Sequence, residues 1–176
     1  VKLHVNPSNL KSISFVKRKT NLVKLICTFS KLSINEIEKK IKDIENKLIK
    51  ENFVVEVEIK NENAIDSGAS LLVYSIDENS IIGVDSLFDK KIQDFNLDFD
   101  RFVKKSLGVD ENLADMLVVI ASLGDKKTIF HVKEITKHLE TNLFVTSKIT
   151  GCKYGIGRLN DGFEVIIEGI SYSSIK

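Results

Sequence analysis

The sequence has no tryptophan, a single proline and only two cysteines. Cys27 and Cys152 form no CxxC pair, so cysteine-built zinc sites and thioredoxin-like redox centres are excluded. No apolar run is long enough to span a bilayer, and the longest, Met116 to Leu123, already contains Ser122. Charge of neither sign dominates. With 26 Lys and Arg against 25 Asp and Glu the formal net charge is +1, so any basic patch for nucleic acid has to be local. GxxxxGK[ST], HExxH and Gly-x-Ser-x-Gly are all missing, which removes P-loop NTPases, zincins and serine hydrolases of the nucleophile-elbow type. No Lys-x-Asp-Gly is present, which argues against a lysine-adenylating ligase. Gly155-Ile156-Gly157 is too short to act as a nucleotide-cradling loop.

What is present fits a soluble globular protein, with 43% hydrophobic and 29% charged residues. The 176 residues suffice for one ordinary domain, or for a core with a small added module. Abundant Lys and Glu and the absence of a signal peptide lead us to expect a cytoplasmic protein with both thiols free. The chain starts with Val1 rather than Met, so it reads as a fragment or a processed product. Oligomeric state is not legible.

Alternation predicts a strand over Val1–Val5, closed by turn residues Asn6-Pro7-Ser8-Asn9, and a second strand from about Asn21 to Phe29. Ser33-Ile34-Asn35-Glu36 has the form of a capping box. Ile34, Ile37, Ile41, Ile44 and Leu48 then mark one face of a helix reaching Lys50. Val55–Lys60 alternates as a half-wet strand, and Leu71–Ile76 with Ser80–Val84 reads as a hairpin around Asp77-Glu78-Asn79. Residues 20–85 thus form a β-α-β-β unit. Ile92, Phe95, Phe99, Phe102, Val103 and Leu107 suggest a helix ended by Gly108. Asp110 can cap a further helix with Leu113, Met116, Leu117 and Ile120 on its inner face, closed by Gly124-Asp125. A short strand over Thr128–Val132, a helix from Lys133 to about Ile149, and two strands (Lys153–Leu159, Phe163–Gly169) around Asn160-Asp161-Gly162 complete the pattern.

Few side chains offer chemistry. His138 and Asn142 lie four apart on one helical face. An imidazole is nucleophile, base or ligand near neutral pH, and a carboxamide at that spacing orients the ring or binds substrate. The competing reading is a surface His on an amphipathic helix. Asp115, among apolar neighbours, belongs either to the wet helix face or to a polar pocket, since an unpaired buried carboxylate is costly. His131 faces away from Phe130 and Val132, and an exposed strand histidine is expected there and at His4. The mixed charges at Lys39, Lys40, Lys42, Lys47, Glu36, Glu38, Asp43 and Glu45 read as a solvated helix face.

Three stretches in fixed order resemble one family. Asp110-Glu111-Asn112-Leu113-Ala114-Asp115 is similar to an Asp-Glu-x-Leu-Ala-Asp-Gln helix, and Thr136-Lys137-His138-Leu139-Glu140-Thr141-Asn142 to a Ser/Thr-x-His-Leu-x-Thr-Asn signature. Ser67-Gly68-Ala69-Ser70-Leu71-Leu72 and Gly83-Val84-Asp85-Ser86-Leu87 resemble its glycine-rich hairpin and Gly-x-Asp-x-Leu segment. The family is that of the RNA 3′-terminal phosphate cyclases and their cyclase-like relatives. The sequence departs from its pattern at Met116 (Gln in the family), at Asn112 (Tyr or His) and over Leu87–Lys91, where Leu-Gly-Glu-Lys-Gly is usual.

The resemblance implies an α+β architecture. The last β-α-β-α-β-β-type unit of a repeated large domain (residues 1–18 and 108–176) would be interrupted by a small inserted α/β domain (19–107). The missing N-terminal half of the large domain would be a partner, and no membrane is involved. The implied reaction converts an RNA 3′-terminal phosphate to a 2′,3′-cyclic phosphodiester with ATP, through a covalent histidine–AMP intermediate. His138 takes the nucleophile's position. Asp115 takes that of the acid near nucleotide and metal (magnesium or manganese), and Asn142 and Thr141 the polar positions that follow the histidine. The alternative is a non-catalytic cyclase-like protein of rRNA processing or ribosome assembly. Such relatives lack the nucleophilic histidine, which this chain has at position 138.

Overall fold

A computed structural model of the chain describes residues 10–104 and 107–173. The expected strand at Val1–Val5, the turn Asn6–Asn9 and His4 lie outside the described residues. In chain order the elements are β1 (Ser14–Phe15), β2 (Leu22–Ser30), α1 (Ile34–Lys50), β3 (Val54–Asn61), β4 (Gly68–Asp77), β5 (Ser80–Asp89), β6 (Asp94–Phe95), α2 (Phe99–Lys104), α3 (Glu111–Ser122), β7 (Lys127–Val132), α4 (Lys137–Thr150), β8 (Lys153–Arg158), β9 (Phe163–Glu168) and α5 (Ile170–Ser173). The class is α+β. Two compact units result: Arg18–Ser106, and Val1–Lys17 joined to Leu107–Lys176. Among the described residues no helix is long and apolar enough to cross a membrane.

The Arg18–Ser106 unit is a five-stranded sheet in the order β3-β2-β4-β5-β6. β2 runs parallel to β3 and antiparallel to β4. Its alternation sends Val23, Leu25, Cys27 and Phe29 into a core shared with Ile37, Ile41 and Leu48 of α1. Each such fully buried aliphatic side chain is worth about 1.5–3 kcal/mol. Burial also pushes the Cys27 thiol up to about 11.

The start of α1 corrects the capping-box reading. Ser33 is the N-cap by backbone geometry, but its hydroxyl makes no cap hydrogen bond. Residues 33–36 are exposed, so water is available to the first amides. The helix ends on Asn52, left-handed at φ 66°. There Asn52 N donates to the Ile49 carbonyl and Phe53 N to the Leu48 carbonyl, the Schellman pattern.

The stretch 92–107 is not one helix. Gln93, at φ 54°, turns the chain so that Asp94–Phe95 pairs with β5. Among its described residues only Phe99–Lys104 is helical, with Asp98 Oδ1 accepting from Arg101 N at 3.0 Å. The spacing of Phe95, Phe99 and Phe102 imitates a helical stripe. Phe95 instead meets Phe88 edge-on at 5.5 Å, while Phe102 packs beside Phe53 at 5.8 Å. The Arg18 guanidinium lies 4.9 Å and 5.2 Å from the Phe53 and Phe102 ring centres and donates to the Phe102 and Val103 carbonyls.

In the other unit a four-stranded sheet runs β1-β7-β9-β8, with β1 parallel to β7 and the remaining pairs antiparallel. Phe130, Val132, Val165 and Ile167 face Ala114, Val118, Leu139 and Leu143, so α3 and α4 cover one face of the sheet. Gly108 does not end a helix. It crosses Phe15 so closely that an added Cβ would lie 1.8 Å from the Phe15 carbonyl oxygen. Lys17 and Leu107 meet in an antiparallel bridge.

Two expectations about this unit need correcting. The inner face of α3 is Glu111, Ala114, Val118 and Ala121, whereas Met116 is 71% and Ile120 53% exposed, and Leu113 and Leu117 are only partly buried. From Leu113 to Leu123 the helix is apolar nearly all round, so periodicity alone offers two stripes. α4 starts at Lys137 rather than Lys133, because Thr136 takes the N-cap.

Candidate active site

α3 begins where Asp110 accepts from Leu113 N at 2.9 Å, the cap expected from sequence. Its second turn carries Asp115, which is half-buried. α4 begins where Thr136 Oγ1 accepts from Leu139 N at 3.0 Å. The same hydroxyl makes a long contact, 3.4 Å, to Asp115 Oδ1. One turn and a half along α4, Asn142 Nδ2 donates to the Asp115 main-chain carbonyl at 3.3 Å.

These contacts fix the helix directions. A helical side chain leans toward its N-terminus, and its carbonyl points toward the C-terminus. Asp115 meets Thr136 with the first and Asn142 with the second, so α3 and α4 run the same way. The strands give the same sense: β1, β7 and β8 all point one way, with α3 returning between the first two and α4 between the last two. His138 lies one turn before Asn142 on one stripe of α4, with its side chain exposed. It also occupies the first turn of α4, where amides and helix dipole favour an anion.

The structure therefore brings Asp115 and Asn142 together and sets His138 on the same stripe as Asn142. Thr141 does not join them. Its hydroxyl donates to the Lys137 carbonyl of its own helix at 2.7 Å. Thr136 is the residue that sequence reasoning passed over. Its signal was the Ser/Thr two positions before the histidine, which reads equally well as a cap. Among the described residues no cluster of three His, Cys, Asp or Glu side chains could hold a metal by itself. Asp115 offers one carboxylate, which suits a magnesium-type ion that takes its other ligands from water and substrate phosphates.

His131, expected exposed, is mostly covered, with its side chain 13% accessible and Nε2 3.2 Å from Glu164 Oε2. The two residues are register partners across β7 and β9, and that pairing accounts for the covering.

A family model described as RNA 3′-terminal phosphate cyclase matches residues 1–156. A protein named RNA 3′-terminal phosphate cyclase from Pyrobaculum neutrophilum (strain DSM 2338 / JCM 9278 / NBRC 100436 / V24Sta) is 23% identical over 124 residues, covering 67% of this chain and 36% of the relative. One of the same name from Pyrobaculum aerophilum (strain ATCC 51768 / DSM 7523 / JCM 9630 / CIP 104966 / NBRC 100827 / IM2) is 22% identical over 126 residues, covering 68% of the chain and 36% of the relative. The matched part is thus little more than a third of the length of these relatives.

Proposed function

Since the chain belongs to the RNA 3′-terminal phosphate cyclase family, we propose that it carries the nucleophile-bearing part of an ATP-dependent cyclase acting on RNA 3′-phosphate ends. In this reading residues 1–18 and 108–176 belong to the large cyclase domain and 19–107 to the inserted one. The polypeptide that supplies the rest of the family's length completes the nucleotide pocket.

A neutral His138 nitrogen attacks the α-phosphorus of ATP. The bond to the bridging oxygen breaks, pyrophosphate leaves, and AMP remains on the ring as a phosphoramidate. A 3′-phosphate oxygen of RNA then takes the AMP and frees the imidazole. The adjacent 2′-hydroxyl attacks the activated 3′-phosphorus, loses its proton and expels AMP, leaving the 2′,3′-cyclic ester. Because that hydroxyl is a reactant, the substrate is RNA. Asp115 would hold a magnesium or manganese ion, whose contribution is to neutralise triphosphate charge. Asn142, tied to α3, keeps the His138 stripe turned toward Asp115.

The observation that carries this reading is the link from Asp115 to both Thr136 and Asn142, with His138 between them in the chain. The test is incubation with α-labelled ATP and magnesium, with the complementary part of the cyclase present. Acid-labile, alkali-stable AMP on the wild type and none on His138→Ala is expected. An intact assembly that never becomes adenylylated would refute the mechanism and leave the non-catalytic reading.

A further inference from the structure

β3 closes one side of the Arg18–Ser106 sheet, and among the described residues no strand pairs with its outer edge. Natural edge strands are usually blunted by proline, a bulge, an inward charge or brevity. β3 has none of these. Val54–Asn61 contains no proline or glycine, and its register with β2 runs unbroken from Leu22↔Val54 to Phe29↔Asn61. Val55 and Ile59 pack against the core, so the odd-numbered side chains point inward and Glu56, Glu58 and Lys60 point to the open face. Val54 N donates to the Asn21 carbonyl and Glu62 N to the Phe29 carbonyl, so the even-numbered main-chain groups serve β2. The N–H and C=O groups of Val55, Val57, Ile59 and Asn61 therefore face away from β2.

The flank of α1 beside this edge is apolar at both ends. Lys40 pairs with Asp94 at 3.4 Å, so that side of α1 looks toward β6. The opposite side carries Ile34, Glu38, Lys42, Glu45 and Ile49 and overhangs the β3 edge. Ile34 and Ile49 are 49% and 50% exposed, and Val54 and Val57 on β3 are 56% and 39% exposed.

The partner that fits is a second copy, because β3 is self-complementary. With two β3 strands antiparallel about a two-fold axis at Glu58, Val57 meets Ile59 and Val55 meets Asn61 as hydrogen-bonded pairs. Glu56 of each copy then faces Lys60 of the other, in the non-hydrogen-bonded positions where side chains lie closest. The central Glu58 residues oppose one another, each with its own Lys60 at 3.0 Å. Moving the axis to Val57 would instead set Glu56 against Glu58. We infer that β3 pairs with β3 of a second copy, so that two five-stranded sheets become one continuous sheet in an isologous dimer. A helix crossing over between parallel strands lies above both, so the two α1 helices come to lie about 10 Å apart, an ordinary packing distance. α1 spans the length of β3, so Ile34 of one copy approaches Ile49 of the other. Assembly through this sheet stops at two chains, because its opposite edge, β6, is only two residues long. The inference does not depend on the proposed reaction.

Sedimentation of the full 176-residue chain, read together with amide hydrogen exchange, is the test. A dimer is expected at about 100 μM, with the amides of Val57 and Ile59 exchanging about 10-fold more slowly than in dilute protein. Val57→Pro removes an outward N–H and leaves the bonds to β2 in place, so it should stay monomeric at that concentration. Glu56→Lys and Lys60→Glu each set like charges across the axis, and each alone should dimerise about 10-fold more weakly. Mixed in equal amounts, the two variants restore both opposite-charge pairs, and the affinity should return to within about threefold of wild type. The mixture decides the matter even where Val57→Pro fails to fold. A wild-type chain that is monomeric at about 100 μM overturns the inference. So does a dimer in which the Val57 and Ile59 amides stay fast, or a mixture no tighter than either variant alone.

Discussion

Asn142 and Asp115 are joined by a hydrogen bond from a side chain of one helix to the main chain of another, 27 residues apart in sequence. The bond ties α4 to the backbone of α3, leaving the Asp115 carboxyl out of it.

Asn142→Ala is expected to lower stability by about 1 kcal/mol, the net worth of one partly buried hydrogen bond. Urea titration measures this. Adenylylation should fall further than the folded fraction, because the His138 stripe loses its tie to α3. A proportional fall in both would leave Asn142 with a structural role only.

The proposed nucleophile and the proposed metal-holding carboxylate should separate cleanly. His138→Ala removes an exposed side chain, so its urea midpoint should match the wild type within roughly 0.5 kcal/mol while AMP transfer is abolished. Asp115→Asn keeps an oxygen that can accept from Thr136 but loses the charge. It should bind AMP covalently only at raised magnesium, and the metal concentration for half-maximal labelling is the quantity to compare.

Arg18 stacks on two rings and donates to two carbonyls at the end of α2. Arg18→Ala should destabilise the Arg18–Ser106 unit by about 2 kcal/mol. Arg18→Lys should recover less than half, because an ammonium cannot reproduce the planar fork. Hydrogen exchange at the amides of β2 and β4 reports the unit without involving the other one.

Asp77 sets an acid limit on the same unit. Its burial opposes ionisation, but amide hydrogen bonds from Lys19, Thr20 and Asn79 outweigh that and hold the carboxyl below its usual value. A depressed folded pKa means stability that is fully present above the unfolded value of 3.8 and is lost as pH falls through the folded one. Wild type and Asp77→Asn should therefore differ in urea midpoint at neutral pH, and the gap should shrink progressively as pH falls below 3.8. A constant gap from pH 7 to pH 2 would contradict this assignment.

How much of this could be read beforehand depended on contrast between two faces. α1 was legible because Ile37, Ile41 and Leu48 oppose a charged side, and β2 because Val23, Leu25, Cys27 and Phe29 alternate with Lys24 and Thr28. α3 has no such contrast, so its residues were recognised as a helix but turned the wrong way. The small side chains Ala114 and Ala121 take the position against the sheet, while larger Met116 and Ile120 stay outside. Stripe spacing likewise overran into Phe95, which the left-handed Gln93 places in a strand. In the site, the residue types were legible from the signature around His138. The bonds from Thr136 and Asn142 to Asp115 were not, since they depend on two helices meeting, and neither was the covering of His131 by Glu164 on a strand 33 residues away.

The antiparallel bridge between Lys17 and Leu107 means that the chain sets out on its excursion through Arg18–Ser106 and comes home at adjacent points. Doubling or halving such an excursion changes the entropy of closing it by only about 0.6 kcal/mol. The pairing of β1 with β7 is therefore nearly indifferent to what is threaded between them. Lengthening or shortening the chain between Lys17 and Leu107 should therefore leave undisturbed the helices that carry Asp115 and His138.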